Sequence, residues 1–192
     1  VISIDLMTEN EAAAVGVNPS ILDKFQSVEG LSGSMFSDHI IASDMLTSGF
    51  ATSGTRGSLM TEAGIDLIDG LRDLLPGGDP FTGEIILGGG GSDLIRGGWG
   101  DEIIDGDRYL NVRLAGVDNN LVPFSYDRMQ GELATRVFAG EINPGNIEIV
   151  REILTAAGPD FDTAVFTGDL RDFTIVDNGD GTYSATDGTI AG

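Results

Sequence analysis

The stretch "LGGGGSDLIRGGWGDEIIDGD" (Leu87–Asp107) holds eight glycines and five acidic side chains in 21 residues, yet keeps leucine or isoleucine at near-regular intervals. Glycine loses the most backbone entropy on folding, and neighbouring carboxylates repel, so such a stretch needs a reason to become ordered. Cut every nine residues from Asp79, the region reads DPFTGEIIL, GGGGSDLIR and GGWGDEIID, followed by a partial GDRYLNVRL. Each complete block carries an acid sixth (Glu84, Asp93, Glu102) and an isoleucine eighth (Ile86, Ile95, Ile104). Glycines at the first, second and fourth places let several carbonyl oxygens turn toward one point, and the sixth-place carboxylate reaches the same point. An oxygen-only ligand set of this kind suits a hard cation of calcium size. The eighth-place isoleucine then points inward from a short strand. Ca²⁺ would neutralise the acids and fix the glycines together.

Composition narrows the alternatives. The 192 residues are 41% hydrophobic and 21% charged, a folding composition, with 31 acidic against 10 basic side chains and a net charge of −21. That field repels nucleic acid and anionic lipid and attracts cations. With no cysteine and one histidine, disulfides, thiolate nucleophiles and Cys/His zinc clusters are excluded. No apolar run approaches the ~20 residues of a membrane span, and the first residues lack the basic-then-apolar pattern of a signal peptide.

Working outward, three zones are expected: 1–58 as degenerate β coils, 59–110 as a helix plus the calcium repeat, and 111–192 as a helical segment with terminal β units. Upstream, "VISIDL" alternates as a strand and "FQSVEGLSGSMFSDHIIASD" reads as strands and tight turns directing Val28, Leu31, Phe36, Ile40 and Ile41 inward. Ile65, Ile68, Leu71, Leu74 and Leu75 have helical spacing behind the candidate cap Thr61. Downstream, the pattern predicts helices over 126–138 and from Asn143-Pro144 to Gly158-Pro159, then a hairpin turning at Asn178-Gly179 and Asp180-Gly181.

The period resembles the G-G-x-G-x-D-x-U-x nonapeptide of RTX (haemolysin-type) calcium-binding proteins. GGGGSDLIR matches every defined place, and GGWGDEIID departs at Glu102. More widely, "EIILGGGGSDLIRGGWGDEIIDGDRYLNVRL" and "VFAGEINPGNIEIVREIL" look like the calcium-binding region found downstream of bacterial animal-type haem peroxidase domains, without the peroxidase domain itself. The resemblance implies a mainly β chain: a right-handed parallel β-roll with degenerate flanking coils, a few α-helices and a C-terminal hairpin. It implies carbonyl ligands at Gly89, Gly91, Gly98 and Gly100 and carboxylate ligands at Asp93 and at Glu102 or neighbouring Asp101. Ions are expected between blocks two apart, pairing the turn of Asp93 with that of Gly106-Asp107 and the turn of Glu102 with that of Glu84. The implied role is a structural module of a large secreted bacterial protein. It would fold on extracellular Ca²⁺ and support or cap neighbouring domains of the same polypeptide, of which this chain reads as a fragment.

Two other classes compete with that role: an adhesive or self-associating surface-layer or filament module, and a fragment of a secreted peroxidase-type enzyme. The sequence also holds weaker constellations. Ser37-Asp38-His39 has the residue types of a hydrolase triad, but consecutive residues in an extended segment alternate in direction and cannot converge. The segment "DNGDGT" at Asp177 opens like an EF-hand loop but has Gly188 where the twelfth-place Glu belongs. "GIDLIDG" (64–70) also fits the second half of a nonapeptide, with Asp66 sixth and Ile68 eighth, but the apolar spacing continues helically to Leu75 and favours a helix, and Asp79-Pro80 reads as a turn rather than a self-cleaving bond. A phosphate cradle would want a lysine after the glycines, and none follows. No catalytic residue is assigned.

Overall fold

A computed structural model of the chain describes residues 3–5, 30–41, 61–75, 84–97 and 101–189. Three-residue segments centred on an isoleucine or leucine between glycine-rich or polar turns can form only short strands, and six occur early: β1 (Ser3–Asp5), β2 (Gly30–Ser32), β3 (His39–Ile41), β4 (Ile85–Leu87), β5 (Leu94–Arg96) and β6 (Ile103–Asp105). β2, β4 and β6 pair in parallel in that order, with Leu31, Ile86 and Ile104 in register. β1, β3 and β5 form a second parallel sheet, with Ile40 opposite Ile95. The chain therefore changes sheet at each nine-residue step, from β2 to β3 and from β4 through β5 to β6. Ile40, Ile86 and Ile95, each at most 1% exposed, meet in one cluster with Leu31 and Ile104 against it. The eighth-place residues of both sheets thus share one interior.

Because side chains alternate along a strand, the residues flanking Ile86 point the other way. Ile85 and Leu87 are buried with Leu71, under Ile68, Leu74, Leu75 and Ile153. The covering segment begins as expected, with the Thr61 hydroxyl accepting from the Gly64 N–H at 3.1 Å to cap α1 (Glu62–Ile65). It is not one continuous helix: Gly70 takes a left-handed φ of +78°, and only a 3₁₀ turn at Arg72–Leu74 follows. Packing on the sheet satisfies the apolar spacing that had suggested a longer helix.

From Arg108 the architecture changes. β7 (Arg108–Val117) pairs antiparallel with β8 (Pro123–Tyr126) and with β9 (Glu148–Thr155), and α2 (Glu132–Phe138) closes a separate core of Phe124, Leu133 and Ile142. The helix expected over 126–138 is therefore confined to its second half, and Tyr126 ends a strand. The helix expected after Asn143 is a correction: Asn143 does cap Pro144–Asn146, but that is a single 3₁₀ turn and the chain continues as β9. The β-branched residues Ile149, Val150 and Ile153 suit a pleated surface, and eight residue pairs with β7, Arg108↔Thr155 to Ala115↔Glu148, override the helical spacing.

The chain then returns to the repeat. β10 (Thr163–Val165) adds to the outer side of β5 in parallel register, giving the order β1-β3-β5-β10. β11 (Phe173–Asp177) and β12 (Tyr183–Asp187) form the expected hairpin, with Gly179 and Gly181 at positive φ. The described residues are thus mainly β, and no helix among them is long and apolar enough to cross a membrane.

Asp118 fixes the corner of the inserted sheet. Its carboxylate accepts from the N–H groups of Asn120 (2.8 Å) and Val122 (3.0 Å) and from the Arg136 guanidinium on α2 (2.7 Å), at 6% exposure. The Val122 N–H foremost, then Asn120 and Arg136, hold this carboxyl below its usual range. A depressed folded pKa contributes stability above the unfolded carboxylate pKa of about 4, and that contribution is lost as pH falls through the folded value. Asp118→Asn should therefore melt below the parent at pH 7, with the gap closing under acid; a pH-independent gap in parallel melting curves would refute the charge-based account.

Candidate metal centre

The turns that follow β2, β4 and β6 stack along one edge of the two sheets. Their leading residues are Gly33, Gly88 and Gly106: the Gly33 N–H donates to the Leu87 carbonyl at 2.7 Å, and the Gly88 N–H to that of Asp105 at 2.8 Å. A Cβ on Gly33 would lie 2.8 Å from Asp38 Oδ2, one on Gly88 would overlap Asp93 Oδ2, and one on Gly106 would overlap the Asp162 carboxylate. Each leading glycine thus leaves room for one carboxylate, and glycine is required there by close approach. Gly89 and Gly91 instead need their freedom for φ values of +102° and +97°.

Those three aspartates form a ladder. The Asp38 N–H donates to Asp93 Oδ1 at 2.7 Å, and the Asp93 N–H to Asp162 Oδ1 at 2.8 Å. Parallel pairing continues the pattern, with the Leu94 N–H on the Asp38 carbonyl and the Thr163 N–H on that of Asp93. Where the ladder begins, the second oxygen is answered: Asp38 Oδ2 accepts from the Ser34 N–H at 2.6 Å and from its hydroxyl at 2.9 Å. In the next coil the residue at the place of Ser34 is Gly89, which has no hydroxyl. Asp93 is 2% exposed, and its Oδ2 is buried without a hydrogen-bond partner. A buried carboxylate oxygen left so is costly unless something cationic answers it.

What faces that oxygen is further oxygen. The Gly106 carbonyl lies 2.5 Å from the point a Gly88 Cβ would occupy, the same point that Asp93 Oδ2 crowds. Beside Gly106, carboxylate oxygens of Asp107, Asp160 and Asp162 lie within 4.8 Å of one another. Asp160 Oδ2 also accepts from the Gly91 N–H at 3.3 Å. Burial first, then the negative charges of Asp162, Asp38 and Asp160, push the Asp93 carboxyl up, against the Asp38 N–H that favours its ionised form. Partial desolvation, then Asp160, Asp162 and Asp105, push Asp107 up. Among the described residues no arginine or lysine forms an ion pair with any of these four acids. Three clustered carboxylates, with the buried Asp93 oxygen and a main-chain carbonyl beside them and no cationic side chain paired to them, make an oxygen-only set that could hold a hard divalent ion.

Of the residues singled out from sequence, Gly89, Gly91, Asp93 and Asp107 come together at this edge. Glu102 lies on the opposite edge with Glu84, where the Ile103 N–H donates to the Glu84 carbonyl at 2.9 Å, so the expected neighbours are adjacent. Asp101 beside Glu102 is exposed. Gly98 and Gly100, like Asp79-Pro80, lie outside the described residues. His39 is exposed on β3, and Asp38 beside it turns inward to the ladder rather than toward it.

Three carboxylates escaped the sequence reading. Asp38 was legible: counting nine-residue blocks from Gly33 gives GSMFSDHII, with Asp38 sixth and Ile40 eighth. Asp160 and Asp162 were harder, because their coil opens at Gly106-Asp107, is interrupted by β7 to β9, and resumes only at Ala156, whose N–H donates to the Asp107 carbonyl at 2.8 Å. The remaining signal was Asp162 two places before Ala164, without glycines ahead of it.

No protein-family model matches this chain, and no curated protein or solved structure matches it either.

Proposed function

We propose that this chain is a structural calcium-binding module of the RTX kind, a parallel β-roll whose turns hold Ca²⁺. The observation that carries the reading is the buried, unpartnered Asp93 Oδ2 facing the Gly106 carbonyl beside the carboxylates of Asp107, Asp160 and Asp162. Calcium supplies the positive charge this edge lacks. The residues around it do the rest: glycines keep the cradle open, the Asp38–Asp93–Asp162 ladder sets the spacing of the coils, and the eighth-place isoleucines turn order at the edge into a packed interior. The proposal assigns no catalytic step. It places the module outside the cell, where calcium sites with Kd of about 10⁻⁴–10⁻³ M are filled. There it supports or caps neighbouring domains of a longer secreted polypeptide, with a net charge of −21 that disfavours nucleic acid as a partner.

Binding to the folded state alone adds RT ln(1 + [L]/Kd) to stability. Melting the EDTA-treated chain with increasing Ca²⁺ should therefore raise the transition of the repeat continuously. Mg²⁺, which holds its waters and demands near-ideal octahedral geometry, should raise it far less at equal concentration. Equal rescue by both ions would contradict a calcium cage, and an unchanged transition with either ion would contradict the proposed function.

A further inference from the structure

The acid cluster draws on two segments far apart in the chain. Asp107, and Asp93 adjoining the cluster through its N–H on Asp162, belong to the repeat, whereas Asp160 and Asp162 arrive after an inserted unit of β7, β8, α2 and β9. That unit closes on itself: β9 runs back along β7 until Thr155 faces Arg108, and Phe124, Leu133 and Ile142 give it a core of its own. It therefore has internal reasons to stay folded whatever happens at the cluster. The segment after it does not. Between 156 and 189 no hydrophobic residue is buried; Phe161 is 79% exposed and Phe166 46%. Hydrogen bonds hold 156–165 to the repeat: Ala156 N–H to the Asp107 carbonyl, Phe161 N–H to Ser92 Oγ at 3.0 Å, Gly91 N–H to Asp160, Asp93 N–H to Asp162, and a three-residue pairing of β10 with β5. Set against them is the repulsion among the clustered carboxylates of Asp107, Asp160 and Asp162, with the buried Asp93 carboxylate repelled by Asp160 and Asp162 beside them.

We propose that Ca²⁺ bound by Asp93, Asp107, Asp160 and Asp162 is a clasp: it closes one coil of the repeat across the inserted unit, so its occupancy decides whether residues 157–165, and β10 with them, are docked on β5. The clasp rests on the calcium reading above and adds a regulated element to it. With the ion bound, the two segments are ligands of one centre and the edge of β5 is covered. Without it, repulsion meets no hydrophobic anchor; residues 157–165 leave, β5 presents an unpaired edge, and the unit from β7 to β9 stays folded. The stable insert and the labile coil after it meet at Ala156.

Hydrogen exchange on the full 192-residue chain, with saturating Ca²⁺ and with EDTA, reads this residue by residue, beside a calorimetric Ca²⁺ titration of the same sample. Calcium should slow exchange at Asp93 and over 161–165 by at least about tenfold, while 108–155 changes by less than about twofold. Asp160→Asn, at a partly exposed position, should shift the calcium concentration needed for that protection upward by about tenfold without altering exchange in 108–155. If calorimetry shows binding but 161–165 exchange alike in both conditions, the clasp is overturned and the calcium reading stands. If 108–155 gains protection as strongly as 161–165, the ion acts on the whole fold and the clasp is likewise overturned. A flat titration overturns the calcium reading and the clasp together.

Discussion

Asp93→Ala is expected to remove most of the calcium-dependent rise in melting temperature, while His39→Ala, six residues downstream of Gly33 on the exposed side of β3, leaves that rise intact. The Asp93 carboxylate has two tasks. Oδ1 accepts the Asp38 N–H at 2.7 Å and ties successive coils together; Oδ2 is buried, has no partner and faces the Gly106 carbonyl. Alanine removes the middle acid of the ladder, beside Asp160 and Asp162, and leaves the Asp38 N–H without its acceptor, a loss of about 1–3 kcal/mol for a buried donor. In EDTA the two effects oppose, because deleting Asp93 also relieves repulsion from Asp162, Asp38 and Asp160. The variant should therefore differ from the parent modestly without calcium and strongly with it. A variant that keeps the parent's calcium response would move the site elsewhere; a response lost in His39→Ala instead would place it near β3.

The second large effect is expected at Ile86, which is fully buried between the two parallel sheets among Ile40, Ile95, Leu31 and Ile104. Ile86→Ala deletes methyl groups from an interior only one residue deep per strand, where three-residue strands leave little freedom to collapse around a cavity. A loss of about 3 kcal/mol in urea denaturation with calcium present is expected. The control is Leu94, which precedes Ile95 on β5 and is 40% exposed; Leu94→Ala should cost under about 1 kcal/mol. The contrast tests register, since a slip of one residue would exchange inward and outward positions. Similar losses at both positions would show that the eighth place is not the inward one.

How much of this was readable in the sequence depends on the range of the interactions involved. The nine-residue period carries its own strand positions and interior, so Ile86, Ile95 and Ile104 could be placed from spacing alone, and so could the hairpin at Asn178-Gly179 and Asp180-Gly181, whose turn needs positive φ locally. β9 could not. Its apolar residues fit a helix in isolation, and what makes it a strand is β7, some forty residues earlier, offering eight paired positions. The Ile65–Leu75 segment failed in a similar way: its spacing records contact with the sheet beneath, which a broken helix satisfies as well. At the site, Asp93 and Asp107 lie in the repeat where a period can be counted. Asp160 and Asp162 become their neighbours only because the insert returns the chain to its point of departure, and no local signal announces that.

Calcium binding itself is the central claim, and isothermal titration of Ca²⁺ into the EDTA-treated, exhaustively dialysed chain tests it most directly. A saturable isotherm reaching about one or two ions per chain, with much weaker heat from Mg²⁺ at equal concentration, is the result the account predicts. A titration with no more heat than the buffer blank would contradict it, and the glycine-rich edge would then be a set of solvated turns.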